Sequence, residues 1–216
     1  MNSAPPPKPE ADLEALLAAP LGLRERKKLK TRRAIRAAAF NRFAAQGYEG
    51  TTVDQIAADA DVSPSTFFRY FPTKEDLIIS DDYDPIMEAE LRSRPPEESI
   101  LESLLQAMIQ PLRVVLADER DDMLLRMRLL QANPAVRARS MVELNRSRDM
   151  LLRVFAERTG RPAEELALRA QIAALLAVSS ETVEYWAEHD GEEDLIELLE
   201  LALNAVATGL TGRPTG

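Results

Sequence analysis

The sequence predicts an all-α protein, and three observations carry that prediction. Apolar residues recur at helical spacing, as in Leu29, Ile35, Ala39 and Phe43. Pro and Gly fall where helices would start and stop. No alternating apolar–polar run is long enough for a strand. With 45% hydrophobic and 29% charged residues among 216, the chain has the composition of a folded protein and the length of one or two domains.

Each element has a local reason. Residues 1–9 are Pro-rich and read as disordered, and 10–19 as a short helix ending at Pro20. From Arg24 to Gln46 there is neither Gly nor Pro, and Gly47 stops that helix. Thr52 with Gln55 three residues on makes a capping box for a short helix over 53–60. Asp61-Val62-Ser63 breaks the chain; Ser63 caps and Pro64 opens the next helix, PSTFFRYF. Thr73 caps a helix from Lys74 to about Asp82, and Asp84-Pro85 opens one that ends at Pro95-Pro96. The remaining helices are expected over 97–116 with a kink at Pro111, then 118–131, 134–158, 162–188 and 192–210.

Composition excludes several functions. Cysteine is absent and His189 is the one histidine, which argues against thiolate metal sites, disulfides and histidine-based catalytic triads. No nucleophile elbow, phosphate-binding loop or dinucleotide fingerprint is present, so no enzyme activity, cofactor or metal is expected. The acidic runs at 81–84 and 188–194 lack EF-hand spacing and read as caps and turns. The N-terminus has no charged-then-apolar signal pattern, and no uninterrupted apolar run approaches the ~20 residues that span a bilayer. A cytoplasmic protein with no membrane partner is the expectation.

Charge is uneven. The chain carries −9 overall, yet residues 24–36 hold eight basic residues and one acidic, a local +7. A cationic block on an acidic protein implies a local anionic partner.

That block precedes two short helices separated by a three-residue turn, the spacing of a helix-turn-helix. Val53, Ile56, Ala57, Ala60, Val62, Phe67 and Phe71 can close a small core with Phe43 and Leu77. The second helix then presents Ser63, Pro64, Ser65 and Thr66 at its start, a polar end able to reach base edges in the major groove. Arg69 and Tyr70 follow one turn on and can meet bases or phosphate. Helix starts at Thr51–Thr52 and Thr73–Lys74 offer backbone N–H groups to phosphates, Lys74 adds a charge, and Arg32 and Arg33 of the basic block can lie along the DNA backbone.

The stretch TTVDQIAADADVSPSTFFRYFPTKEDLI, with IRAAAFNRFAAQGYEG before it, resembles the DNA-binding domain of TetR-family transcriptional regulators over about residues 30–79. The resemblance implies a three-helix DNA-binding head, a helical effector-binding body and a homodimer on a palindromic operator, most members being repressors released by a small molecule. It divides the chain into an N-terminal extension at 1–22, a head at 23–80 and an effector-binding and dimerisation domain at 81–216. Three residues depart from the family pattern. Asp61 and Ser65 stand where Gly is frequent, and Phe68, where Tyr is frequent, lacks the hydroxyl that would bond phosphate. Tyr70 matches a position that commonly contacts phosphate, and Lys74 matches the usual lysine at the start of the fourth helix. The DDYDP segment is similar to an actinobacterial subgroup associated with mycofactocin gene clusters.

Two further expectations concern the body. Between Leu195 and Leu210 the polar residues fall in one narrow stripe, so the helix needs cover on more than one side. A second subunit would supply it through Leu195, Leu199, Ala202 and Val206, with Leu168, Ile172, Leu175 and Ser179 on the preceding helix, as a two-fold four-helix bundle. An effector cavity is expected among Met108, Met123, Met127 and Met141, with Tyr185 and Trp186 and the polar groups Arg126, Gln131 and Asn145. Such a cavity favours a lipophilic or acyl-type ligand. The competing reading is a helical protein-interaction adaptor that keeps the head but has lost operator binding, which the missing hydroxyl at Phe68 favours.

Overall fold

Cap residues decide where several of the helices begin. The computed structural model describes residues 23–79 and 84–209, and the expected N-terminal extension with its helix at 10–19 lies outside them. The described residues form nine helices and no strand: α1 Leu23–Gln46, α2 Val53–Asp59, α3 Pro64–Tyr70, α4 Asp76–Ile79, α5 Asp84–Ser93, α6 Ile100–Ala132, α7 Pro134–Thr159, α8 Leu166–Glu188 and α9 Leu195–Gly209. α6 begins after Ser99, whose Oγ accepts the Glu102 N–H at 3.1 Å, rather than at Glu97. α9 begins at Leu195 rather than Glu192, because the Asp194 carboxylate accepts the N–H groups of Ile196 and Glu197 at 2.8 and 3.3 Å. The expected helices over 97–116 and 118–131 meet within α6 at a kink, where the backbone leaves helical geometry at Glu119 (φ −126°, ψ 24°) rather than at Pro111.

Packing divides the chain into two units, one of residues 1–83 with 114–143 and one of 84–113 with 144–216. The second half of α6 and the start of α7 pack with the head. In the first unit, Ile35, Ala39, Phe40 and Phe43 of α1 meet Ile56 and Ala57 of α2, Phe67 of α3, Phe71, and Leu77 and Ile78 of α4. Val136 of α7 completes the core, and Leu125, Leu129 and Leu130 of α6 lie against it. Phe67 and Phe71 are wholly buried, each stabilising the unit by about 2–3 kcal/mol.

A second apolar core joins Leu91 of α5, Leu104 and Ala107 of α6, Leu151, Val154 and Phe155 of α7, and Leu168 and Ile172 of α8. Arg158 closes the end of α5. Its guanidinium donates to the carbonyls of Leu91, Arg94 (3.3 Å) and Pro95 (2.8 Å) and to Ser103 Oγ (2.9 Å), satisfying groups that the helix end leaves open. α8 and α9 pack along each other. Ile100–Ala117 and Leu166–Glu188 are long and apolar enough to cross a membrane by length and composition alone. Neither is an unbroken apolar run, because Glu102 and Arg113 interrupt the first and Arg169, Glu181 and Glu184 the second. Leu104, Ala107, Leu168 and Ile172 from these stretches are core residues of the second unit.

One buried carboxylate ties α4 to α7. Asp76 Oδ2 accepts the N–H and hydroxyl of Thr73 at 2.9 Å each, and Oδ1 accepts Nε–H of Arg139 at 2.9 Å. Asp76→Asn is expected to destabilise the first unit by about 2 kcal/mol, less than for a wholly buried pair because Arg139 remains partly in water. Urea unfolding measures this, and a loss no larger than that of an ordinary surface change contradicts it.

Candidate nucleic-acid interface

Reciprocal capping sets the geometry of the α2–turn–α3 segment. Thr52 Oγ1 accepts the Gln55 N–H at 3.3 Å while Gln55 Oε1 accepts the Thr52 N–H at 3.0 Å, which is the box expected from the sequence. Gln46, at the end of α1, donates to the same Gln55 Oε1 at 2.9 Å. Asp61 sits at φ 53°, the left-handed conformation for which Gly is favoured and which Asp tolerates. Ser63 then caps α3, its Oγ accepting the Thr66 N–H at 3.1 Å and lying 2.9 Å from both Ser65 Oγ and Thr66 Oγ1.

This arrangement sorts α3 into two faces. Phe67 points inward with Phe71 after it, and the two rings lie 6.0 Å apart. Pro64, Ser65, Phe68 and Arg69 are exposed, and Thr66 and Tyr70 are half-buried. α3 contains no acidic residue, so its outer face offers hydroxyls, a phenyl ring and a guanidinium with no carboxylate to repel phosphate.

Several basic residues expected at the DNA have partners within the head. Arg32 donates through Nη1 to the Tyr70 carbonyl at 2.9 Å, at the end of α3, and its guanidinium lies 4.5 Å from the centre of the Phe71 ring. Lys74 donates to the carbonyls of Tyr48 and Thr51 at 2.9 and 3.3 Å, with Nζ 3.9 Å from the centre of the Tyr48 ring. Thr51 is 2% exposed and donates its hydroxyl to the Gly47 carbonyl at 2.8 Å. Tyr48 donates to Glu75 at 3.0 Å; burial first, and then that carboxylate, raise its hydroxyl pKa far above the ordinary phenol value. Arg33 forms an ion pair with Glu119 of α6 at 3.0 Å. Sequence reasoning missed these roles because a long cationic side chain gives no local sign of which carbonyl it will reach. On the same head, Arg42 of α1 grips Asp59 of α2 with two hydrogen bonds of 2.5 and 2.8 Å, holding the Asp59 carboxyl below its usual range.

The residues expected around an effector divide between the units. In the first, Met123 and Met127 are half-buried, Gln131 and Met141 are exposed, and Arg126 donates to the Ile79 carbonyl at 2.9 Å. In the second, Met108 packs against the core and Asn145 is exposed. Trp186 is a core residue whose Nε1–H donates to the Glu193 carbonyl at 3.0 Å, and Tyr185 before it is 42% exposed. Of the residues expected at a subunit interface, Leu168, Ile172, Leu195 and Leu199 are buried within one chain, whereas Leu175, Ser179, Ala202 and Val206 are only half-buried. Leu201, which the sequence reading left out, is 68% exposed.

Comparison with known proteins agrees with this layout. Residues 35–80 match the family model for bacterial regulatory proteins of the tetR family. Residues 98–211, just over half of the chain, match the model for the MftR C-terminal domain. The HTH-type transcriptional regulator TcmR of Streptomyces glaucescens is 37% identical over 150 residues, covering 64% of this chain. That alignment spans 65% of TcmR, slightly under two thirds of its length. Among solved structures, FadR of Thermus thermophilus, a TetR-family transcriptional repressor in complex with lauroyl-CoA, superposes with a TM-score of 0.55 at 26% identity, over 86% of this chain and 98% of its own. FadR of Bacillus subtilis, in complex with stearoyl-CoA, gives a TM-score of 0.55 at 25% identity, over 82% of this chain and 98% of its own.

Two predictions follow from the charges of the first unit. Lys74→Ala is expected to cost about 2 kcal/mol of stability, because two carbonyls lose a charged donor; thermal melting measures it, and an unchanged midpoint contradicts the bracing role. Asp122 of α6, half-buried beside Glu119 and Asp121, has its carboxyl pKa raised, chiefly by lost hydration and then by those two neighbours, against the pull of Arg36. A raised carboxyl pKa costs stability above that pKa and nothing below the ordinary carboxylate range. Asp122→Asn is therefore expected to raise the melting midpoint at neutral pH, with the gain fading as the solution is acidified. An equal gain at every pH contradicts this.

Proposed function

We propose that this chain, which belongs to the TetR family of bacterial transcriptional regulators, is a homodimeric repressor that grips a palindromic operator with two copies of α3 and is released by a small acyl-type effector. The chain is a transcriptional regulator and not an enzyme, as the matched family and TcmR are.

The observation that carries the reading is the acid-free outer face of α3 over its buried phenylalanines. A helix held in that way can enter the major groove as a rigid body. The start of α1 adds exposed Arg24, Lys27 and Lys30, so a chain of net charge −9 still presents a cationic edge. Contacts of that kind release counterions and make binding steeply dependent on salt.

Pairing is supported by what α8 and α9 leave uncovered. Ala170, Ala173 and Ala177 of α8 are exposed small residues, and Leu201 and Ala205 of α9 are exposed beside half-buried Leu198 and Ala202. Apolar surface of this extent on paired helices suits a second copy of the same surface. The effector class is supported by the FadR structures, which hold lauroyl-CoA and stearoyl-CoA, and by the apolar second core. Effector binding would change the separation of the two α3 helices from the helical repeat of DNA. Work on an operator puts the protein in the cytoplasm.

Selection of bound duplexes from random sequence tests the reading. An inverted repeat is expected, with half-site centres about 10 base pairs apart or a multiple of that. The free protein should sediment at twice the 24.1 kDa chain mass, and lauroyl-CoA should release the duplex. Leu201→Glu is expected to yield monomers and to weaken operator binding at least tenfold, the loss of one cooperative half-site being larger still. A monomer bound to one asymmetric site contradicts the reading.

A further inference from the structure

Phe68 is the side chain on the outer face of α3 that phosphate recognition leaves unexplained. The other five phenylalanines of the chain are at most 3% exposed, while Phe68 is 50% exposed. Its ring is not loose. It stands edge-to-face on Phe67, with centroids 5.4 Å apart and planes at 86°, and Phe67 is wholly buried. On a helix the side chain leans over the turn before it, so the ring covers the surface near Pro64 and Ser65, with exposed Arg69 next along the chain. An exposed apolar ring on a helix face that also carries the Ser65 hydroxyl and the Arg69 guanidinium suits an apolar partner set among polar and anionic groups.

The major groove supplies one such partner. Base edges there carry hydrogen-bond donors and acceptors, and the C5-methyl group of thymine is their one apolar feature. We propose that Phe68 selects thymine, its ring packing on the C5-methyl group of one thymine in each operator half-site. Ser65 and Arg69 are left to bond neighbouring base edges or phosphates. The absence of a phenolic hydroxyl at this position then has a positive consequence: a tyrosine would spend its tip on phosphate, whereas phenylalanine leaves the ring for the base. An exposed phenyl ring could also seat a protein partner. The acid-free, Arg-bearing face of α3 favours duplex DNA, whose phosphates it complements.

The inference rests on the operator-binding reading, and the test separates the two. A duplex is recovered by selection with the full-length protein, and each thymine is replaced singly by deoxyuridine, which removes only the methyl group. One thymine per half-site is expected to lose about fourfold in affinity, the ratio for burying one methyl group. Phe68→Ala should bind the parent duplex more weakly and lose sensitivity at that thymine alone, while Phe68→Leu, which keeps an apolar side chain, should retain part of it. Far-ultraviolet circular dichroism checks that both variants stay folded, as expected for an exposed residue. If the protein selects a duplex but no deoxyuridine substitution matters, or Phe68→Ala keeps the same sensitivity, the thymine assignment is overturned and operator binding stands. If no duplex is selected, both fail, and an adaptor role for the ring takes their place.

Discussion

The whole arrangement depends on the anchoring of α3 from beneath. A seven-residue helix has too few hydrogen bonds to persist alone, so its orientation comes from tertiary packing. Phe67 and Phe71 supply that packing, and Arg32 fastens the far end by bonding the Tyr70 carbonyl while resting on the Phe71 ring. At the near end Ser63 closes the first turn and Asp61 lets the chain reverse direction. Because the inner face is spent on the core, the outer face is free to consist of residues chosen for a ligand.

The same economy governs the charges of the head. Binding to a polyanion needs cations at the surface, but a small helical head also needs its buried carbonyls satisfied. Arg32 and Lys74 serve the second need, and Arg33 is committed to Glu119 at the point where α6 departs from helical geometry. Exposed Arg24, Lys27, Lys30 and Arg69 are placed for the first. The local +7 of residues 24–36 is thus partly structural and partly a surface field.

The turn between α2 and α3 was legible in the sequence because its determinants are local. The Thr52–Gln55 box, the Ser63 cap and the Asp61 break act over three or four residues, and each is found where its residue type suggests. Determinants that act over long range were not legible. Lys74 reads as a phosphate ligand until Tyr48 and Thr51 are seen beside it, and Arg158 reads as a last-turn residue until it is found closing α5. Pro111 has the strongest local tendency to bend α6, yet the departure falls at Glu119, which faces Arg33 across the first unit. Amphipathic patterning likewise placed Leu195 and Leu199 on the apolar side of α9, and both are buried within one chain. Asp194 caps α9 from within a run of acids, any member of which has the right chemistry to serve.

Amide hydrogen exchange of the full-length protein, with and without its selected duplex, tests most directly whether the outer face of α3 meets DNA. Slower exchange is expected across residues 63–70 and the start of α1, with α8 and α9 unchanged. Unaltered exchange over residues 63–70, with slowing confined to other helices, would contradict the account.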